Sequence, residues 1–117
     1  MSTRQIGDWG EAQAQEYLEA RGFKVLANNV YTEYGEIDLV AQKAGRLHFV
    51  EVKTKRTKAF GHPEEAVTPR KLRHMIESAE SYIQADPELQ MDYQIDVIAI
   101  QVIGNGRLEI RYFENVH

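Results

Sequence analysis

Gly35-Glu36-Ile37-Asp38-Leu39-Val40-Ala41-Gln42-Lys43-Ala44-Gly45-Arg46-Leu47-His48-Phe49-Val50-Glu51-Val52-Lys53-Thr54-Lys55 contains two apolar strands, Gly35 to Gln42 and Arg46 to Lys55, around a short polar turn with a glycine. So short a turn makes them an antiparallel hairpin. Side chains alternate along a strand, so Leu47, Phe49, Glu51 and Lys53 share one face and His48, Val50 and Val52 the other. With only Ala44-Gly45 in the turn, Asp38 stands opposite Glu51 and Glu36 opposite Lys53. Two facing carboxylates repel unless one is protonated or a cation lies between them. A divalent metal is the simplest resolution. Mg²⁺ prefers hard oxygen ligands, takes one or two carboxylates and keeps waters that can attack a phosphate, and Mn²⁺ is its expected substitute. Lys53 beside it would orient such a water or stabilise charge on phosphoryl oxygens. The plainer reading makes Glu51 and Lys53 an exposed surface pair, with Asp38 and Glu36 as solvated polar residues. The apolar neighbours Ile37, Leu39, Val40, Phe49, Val50 and Val52 weigh against it, because unpaired charge inside apolar strands is costly and tends to mark function.

Outward from the hairpin, Asp8 to about Arg21 reads as a helix with Gly10, Ala14, Tyr17 and Leu18 on one side, ended by Gly22. Phe23 to Ala27 reads as a first strand and Asn28-Asn29 as a break. Glu11 borders the packing face of that helix. As a first-turn carboxylate it either reaches the metal through water or only complements the helix dipole, and both readings stand. Thr68-Pro69 opens a second helix with the stripe Leu72, Ile76, Ala79 and Ile83, stopped at Asp86-Pro87. Ile95 to Ile103 is nearly continuously apolar, as in a central strand covered on both faces, and Gly104-Asn105-Gly106 turns into a last strand, Leu108 to Phe113. Asp96 either accepts backbone hydrogen bonds or approaches the site from a neighbouring strand. His48, His62, His74 and His117 lack metal-ligand spacing. The element order implies an α/β fold, a mixed sheet of about five strands flanked by helices.

The chain has 117 residues, 43% hydrophobic and 27% charged, which fits one domain spanning 1–117 with a modest core. It contains no cysteine, so packing alone must hold it, and the reducing cytosol is its natural compartment. Nothing in the sequence resembles a signal peptide or a membrane-spanning run, so the expected location is cytoplasmic and no membrane partner is expected. Although the net charge is −4, the stretch from Lys53 to His74 holds seven Lys or Arg against two Glu. Such segregation can present a basic surface to phosphates, or can be only a solvated face. Lys55, Arg56, Arg70, Lys71 and Arg73 are the candidate nucleic-acid contacts.

Gly35-Glu36-Ile37-Asp38 followed by Glu51-Val52-Lys53 resembles the signature of the restriction-endonuclease-like PD-(D/E)xK superfamily. With Gly7-x-x-Gly10-Glu11, Tyr17-Leu18, Asn29, Phe49-Val50-Glu51-Val52-Lys53-Thr54, Gly61-x-Pro63-Glu64-Glu65-Ala66-Val67 and Asp96-Val97-Ile98-Ala99, nearly the whole chain resembles the YraN family, which is similar to archaeal Holliday-junction resolvases. The resemblance implies a restriction-endonuclease-like fold in which Asp38 and Glu51 hold Mg²⁺, Lys53 assists hydrolysis and Glu11 matches the helix glutamate of the resolvase pattern. The usual proline before the first acid is absent, and Lys55 stands where an arginine often follows Thr54. The function expected is a Mg²⁺-dependent DNA endonuclease acting on branched, Holliday-junction-like DNA. A non-catalytic nucleic-acid-binding or adaptor protein of the same fold and an RNA-processing factor are the alternatives. The expected partners are nucleic acid, DNA first, and a second copy of the chain as a candidate homodimer.

Overall fold

The computed structural model describes residues 2–55, 67–104 and 107–117, and in it one mixed five-stranded sheet carries a helix on each face. The elements in chain order are α1 (Thr3–Ala20), β1 (Lys24–Thr32), β2 (Gly35–Lys43), β3 (Arg46–Lys55), α2 (Pro69–Gln84), a 3₁₀ turn (Pro87–Leu89), β4 (Tyr93–Ile103) and β5 (Arg107–Phe113). The strands lie in sequence order, all antiparallel neighbours except β3 and β4, which run parallel because α2 carries the chain back across the sheet. This is the α/β mixed sheet expected of the sequence. Gly61, Pro63 and the acidic pair Glu64-Glu65 lie outside the described residues, as do Arg56, His62 and the Asn105-Gly106 turn. Among the described residues no helix is long and apolar enough to cross a membrane.

Helix α1 begins five residues earlier than the periodicity predicts. Ser2 caps it, accepting from Gln5 N–H at 3.1 Å, while the Gln5 side chain accepts from Ser2 N–H at 2.8 Å. Its end follows the prediction. Gly22, at φ 88°, donates to Glu19 O, and Phe23 N–H donates back to Leu18 O, so the helix closes on a Schellman turn with Phe23 and Leu18 in one cluster. Strand β1 also departs from expectation. It runs through Asn28-Asn29 to Thr32, because Asn29 adopts a left-handed φ of 48° without leaving the sheet, and the register slips between Val25 and Ala27. Helix α2 is capped by Thr68 as expected, but it buries Met75, Ser78 and Ala79 more deeply than Leu72, Ile76 and Ile83, which stand half-buried at its margins.

The sheet divides two cores. Ile37, Val40, Leu47, Phe49, Ile95 and Val97 pack under α2, and Leu39, Ala41, Val50, Ile98 and Ile100 pack under α1 with Ala14, Leu18 and Phe23. Strand β4 contributes to both, as its unbroken apolar run implies. Helix α1 lies close on β3 because Gly10 has no side chain. A Cβ there would overlap Thr54 Oγ1 and come within 3.1 Å of Thr54 Cβ. Gly10→Ala should therefore cost about 1–3 kcal/mol of overpacking, lowering the melting temperature by roughly 5–10 °C, and adding Thr54→Ala should recover part of that loss. Thermal scans of the three variants check it; an unchanged melting temperature in Gly10→Ala would disprove the close approach.

Candidate active site

The Ala44-Gly45 turn has left-handed φ values of 52° and 75°, the twist that a two-residue hairpin requires. It sets the register Lys43 to Arg46 through Leu39 to Val50. At the next position the carboxylate enters the ladder itself: Val52 N–H donates to Asp38 Oδ2 at 2.8 Å, where an antiparallel ladder would offer a backbone carbonyl. Asp38 and Glu51 are both buried, 9% and 6% exposed, and the Glu51 carboxylate stands close enough to Asp38 to push its carboxyl up. The facing pair inferred from the hairpin is present.

More acids converge there than the hairpin alone supplies. Oxygens of Glu11, Glu36 and Asp38 all lie within 4.8 Å of one another. Glu11 comes from the third turn of α1, so the early start of that helix removes it from the positive N-terminus and from the dipole reading. Asn29 reaches its carboxylate with a side-chain hydrogen bond, which gives the left-handed asparagine of β1 a place in the site. Glu36, expected opposite Lys53, is exposed and brings its carboxylate to those of Glu11 and Asp38. Its alternation with Asp38 along β2 was the signal that it belongs with the acids.

From the other face of the sheet the Lys71 ammonium forms an ion pair with Glu51 Oε1, while Lys71 N–H donates to Thr68 Oγ1 at 3.2 Å in the first turn of α2. Lys71, expected on a phosphate, thus stands on a carboxylate. Lys53 is exposed and pairs with no acid among the described residues. Arg70 and Arg73 are exposed at the start of α2, and Lys55 is half-buried.

Gathering the acids shifts them. Burial, then the charges of Asp38 and Glu36, push the Glu11 carboxyl up to about 7 against the Asn29 hydrogen bond. Burial, then the neighbouring Glu51 carboxylate, push Asp38 up to about 7, with the Val52 N–H acting the other way. The metal-free site therefore holds protons near neutrality. Its donors are all carboxylate oxygens on one spot, the hard anionic set that suits Mg²⁺ or Mn²⁺.

Asp96 is a buried acid of the opposite kind. It accepts from Gln94 Nε2 at 2.8 Å, Asn115 N–H at 2.8 Å and the Tyr112 hydroxyl, and its Oδ2 lies 2.6 Å from His48 Nδ1. Although burial opposes ionisation, these bonds together hold its carboxyl below the usual range. Of its two readings, the network supports the acceptor: Asp96 ties the β4 strand to β3, β5 and the C-terminal segment, apart from the acid cluster.

The family described as "Uncharacterised protein family UPF0102" matches residues 10–100. A UPF0102 protein of Syntrophomonas wolfei is 42% identical over 112 residues, covering 96% of each chain. One of Dichelobacter nodosus is 40% identical over 116 residues, covering 99% of this chain and 91% of its own. Among solved structures, Pyrococcus furiosus SfsA in complex with Ca²⁺ is similar at a TM-score of 0.44 and 16% identity over 97% of this chain, which spans 64% of that one.

The raised carboxyls give a stability profile with a definite sign. For an acid held at about 7 in the fold against 3.8 or 4.5 ordinarily, the folded state keeps a proton that the unfolded chain releases, so stability is lost as pH rises between those values. In EDTA the melting temperature should fall from pH 5 to pH 8, and Asp38→Asn should flatten the fall and raise the value at pH 8. Adding Mg²⁺ at about ten times its dissociation constant should restore ~1.4 kcal/mol to the wild type, several degrees for this size, and little to the variant. A flat wild-type profile without metal would disprove the repulsion.

Proposed function

The chain belongs to protein family UPF0102, the YraN family its motifs resemble, and from that premise and the geometry of the acidic site we propose that it is a Mg²⁺-dependent endonuclease acting on branched DNA. The observation that carries the reading is the convergence of Glu11, Glu36 and Asp38, from α1 and β2, with Glu51 of β3 outside that cluster but beside Asp38 and ion-paired with Lys71. Such a cluster destabilises the metal-free fold, and sites of this kind mark function more often than structure.

Asp38 and Glu51, with Glu11 and Glu36 beside them, would hold the metal, which when bound supplies a Lewis acid for phosphodiester hydrolysis. The chain's own groups do the rest. The Val52 N–H fixes the Asp38 carboxylate in one orientation, so the donor set is arranged before a cation arrives. Glu11, brought to the cluster by α1, stands where its carboxylate oxygen could accept a proton from an attacking water as a general base. Lys53 is exposed on the Glu51 face, where its ammonium can meet a phosphoryl oxygen on which charge develops. Lys71 adds a second ammonium at the same edge.

A second reading, a nucleic-acid-binding protein that cleaves nothing, draws on the Lys71 to Glu51 ion pair, since that ammonium already supplies a cation to the buried acid. Both are decided on purified protein with duplex, flap, fork, four-way-junction and RNA substrates, in Mg²⁺, Mn²⁺ or EDTA. Cleavage of a branched DNA substrate with metal and none in EDTA is expected. Glu51→Gln and Lys53→Ala should each lower the rate by about a hundredfold or more while leaving DNA binding within a few-fold. Metal-dependent cleavage retained by Glu51→Gln would overturn the mechanism, and binding without cleavage under every condition would establish the second reading.

A further inference from the structure

Beside the acid cluster a cleft of about 390 Å³ opens between the β1–β2 turn and α2, with Tyr34, Glu36, Arg70, Lys71, His74 and Ser78 among the residues that line it. That volume lies within the roughly 300–1,000 Å³ of small-ligand pockets. Two residues join it to the candidate active site: Glu36 belongs to the acid cluster, and Lys71 is ion-paired with Glu51.

The two walls differ in chemistry. Tyr34 is 39% exposed at the mouth, on a two-residue turn held in place by Thr32. The Thr32 hydroxyl lies 2.7 Å from Ser78 Oγ on α2 and 2.9 Å from Gly35 O, and accepts from Tyr34 N–H at 3.1 Å. The ring therefore stands on a fixed support. Opposite it, Arg70 and His74 lie one helical turn apart on α2, both exposed and both lining the cleft. Beyond Tyr34 the surface changes sign, for Glu33, Glu77 and Glu80 line the next hollow with it. A polynucleotide backbone would be favoured on the Arg70 side and repelled on the Glu77 side.

We propose that this cleft receives a single unpaired nucleotide next to the scissile phosphate, its base stacked on Tyr34 and its phosphate between Arg70 and His74. The acidic hollow stops the strand from continuing, so the cleft takes a strand end or a nucleotide unstacked at a branch and excludes continuous duplex. Aromatic stacking tolerates any base, so selection here is for DNA structure and not for sequence. The inference rests on the nuclease reading and adds its substrate-selecting residues.

The test uses oligonucleotides in EDTA, which separates binding from cleavage, with 2-aminopurine at the unpaired position of a flap and at a paired position of a duplex. The wild type should quench the unpaired probe and not the paired one. Tyr34→Leu should abolish the quench and weaken flap binding about tenfold, with duplex affinity unchanged; Tyr34→Phe should keep the wild-type behaviour. Arg70→Ala should weaken flap binding and lower the slope of log affinity against log salt by about 0.7–0.9. A wild type that binds the flap without quenching, or a Tyr34→Leu that binds it equally well, overturns the subsite and leaves the nuclease reading standing. Failure of the wild type to bind any DNA overturns both. Deoxyadenosine monophosphate bound as tightly as the flap would assign the cleft to free nucleotides and overturn the strand reading.

Discussion

Two buried carboxylates, Asp38 and Glu51, meet where the β2–β3 ladder gives way, and the repulsion between them organises what surrounds the site. Asp38 is held by one backbone donor, Val52 N–H, and Glu51 by the Lys71 ammonium. That is little compensation for two acids taken out of water. The fold answers with protons, raising Asp38 and Glu11 to about 7. A hard cation would answer the same electrostatic demand, and this links the stability of the metal-free chain to the chemistry proposed for it.

Asp96 shows that burial alone does not create such a demand. It is fully buried, yet His48, Tyr112, Gln94 and Asn115 surround its two oxygens, and the charge is stabilised in place. Its network holds β3, β4, β5 and the C-terminal segment together around one acceptor. What separates a structural acid from a candidate functional one in this molecule is the supply of donors. Asp96 is saturated, whereas Asp38 faces mostly other carboxylates.

The sheet places these two arrangements apart. Because β3 alternates, His48 points under α1 towards Asp96 and Tyr112, while Glu51 points under α2 towards Lys71. Asp38 sits in the opening between β2 and β3, where α1 delivers Glu11 from one side of the sheet and β3 delivers Glu51 towards the other. The bare Gly10 lets α1 lie close enough on β3 for this. The same edge continues into the cleft of Tyr34, Arg70 and His74, so acids and cations lie side by side along one rim.

The hairpin and its facing acids were legible in the sequence, because a two-residue turn and the alternation of side chains are local rules that fix Leu39 opposite Val50 without reference to the rest of the chain. The caps at Gly22 and Thr68 and the two-faced burial of β4 were legible for the same reason. The start of α1 was missed because apolar periodicity begins later than the Ser2 to Gln5 cap, and β1 was cut short because asparagines that signal a break can be absorbed as a left-handed residue within a paired strand. Lys71 on Glu51, Asn29 on Glu11 and Glu11 beside Glu36 and Asp38 could not be read from spacing. Each depends on how a helix or an edge strand is laid against the hairpin, and that placement follows from burying two apolar faces at once. The sequence determined that Asp38 and Glu51 would be buried on facing strands, while the tertiary packing left Glu36 and Lys53 exposed and decided which buried acids would be satisfied, because their donors arrive from other elements.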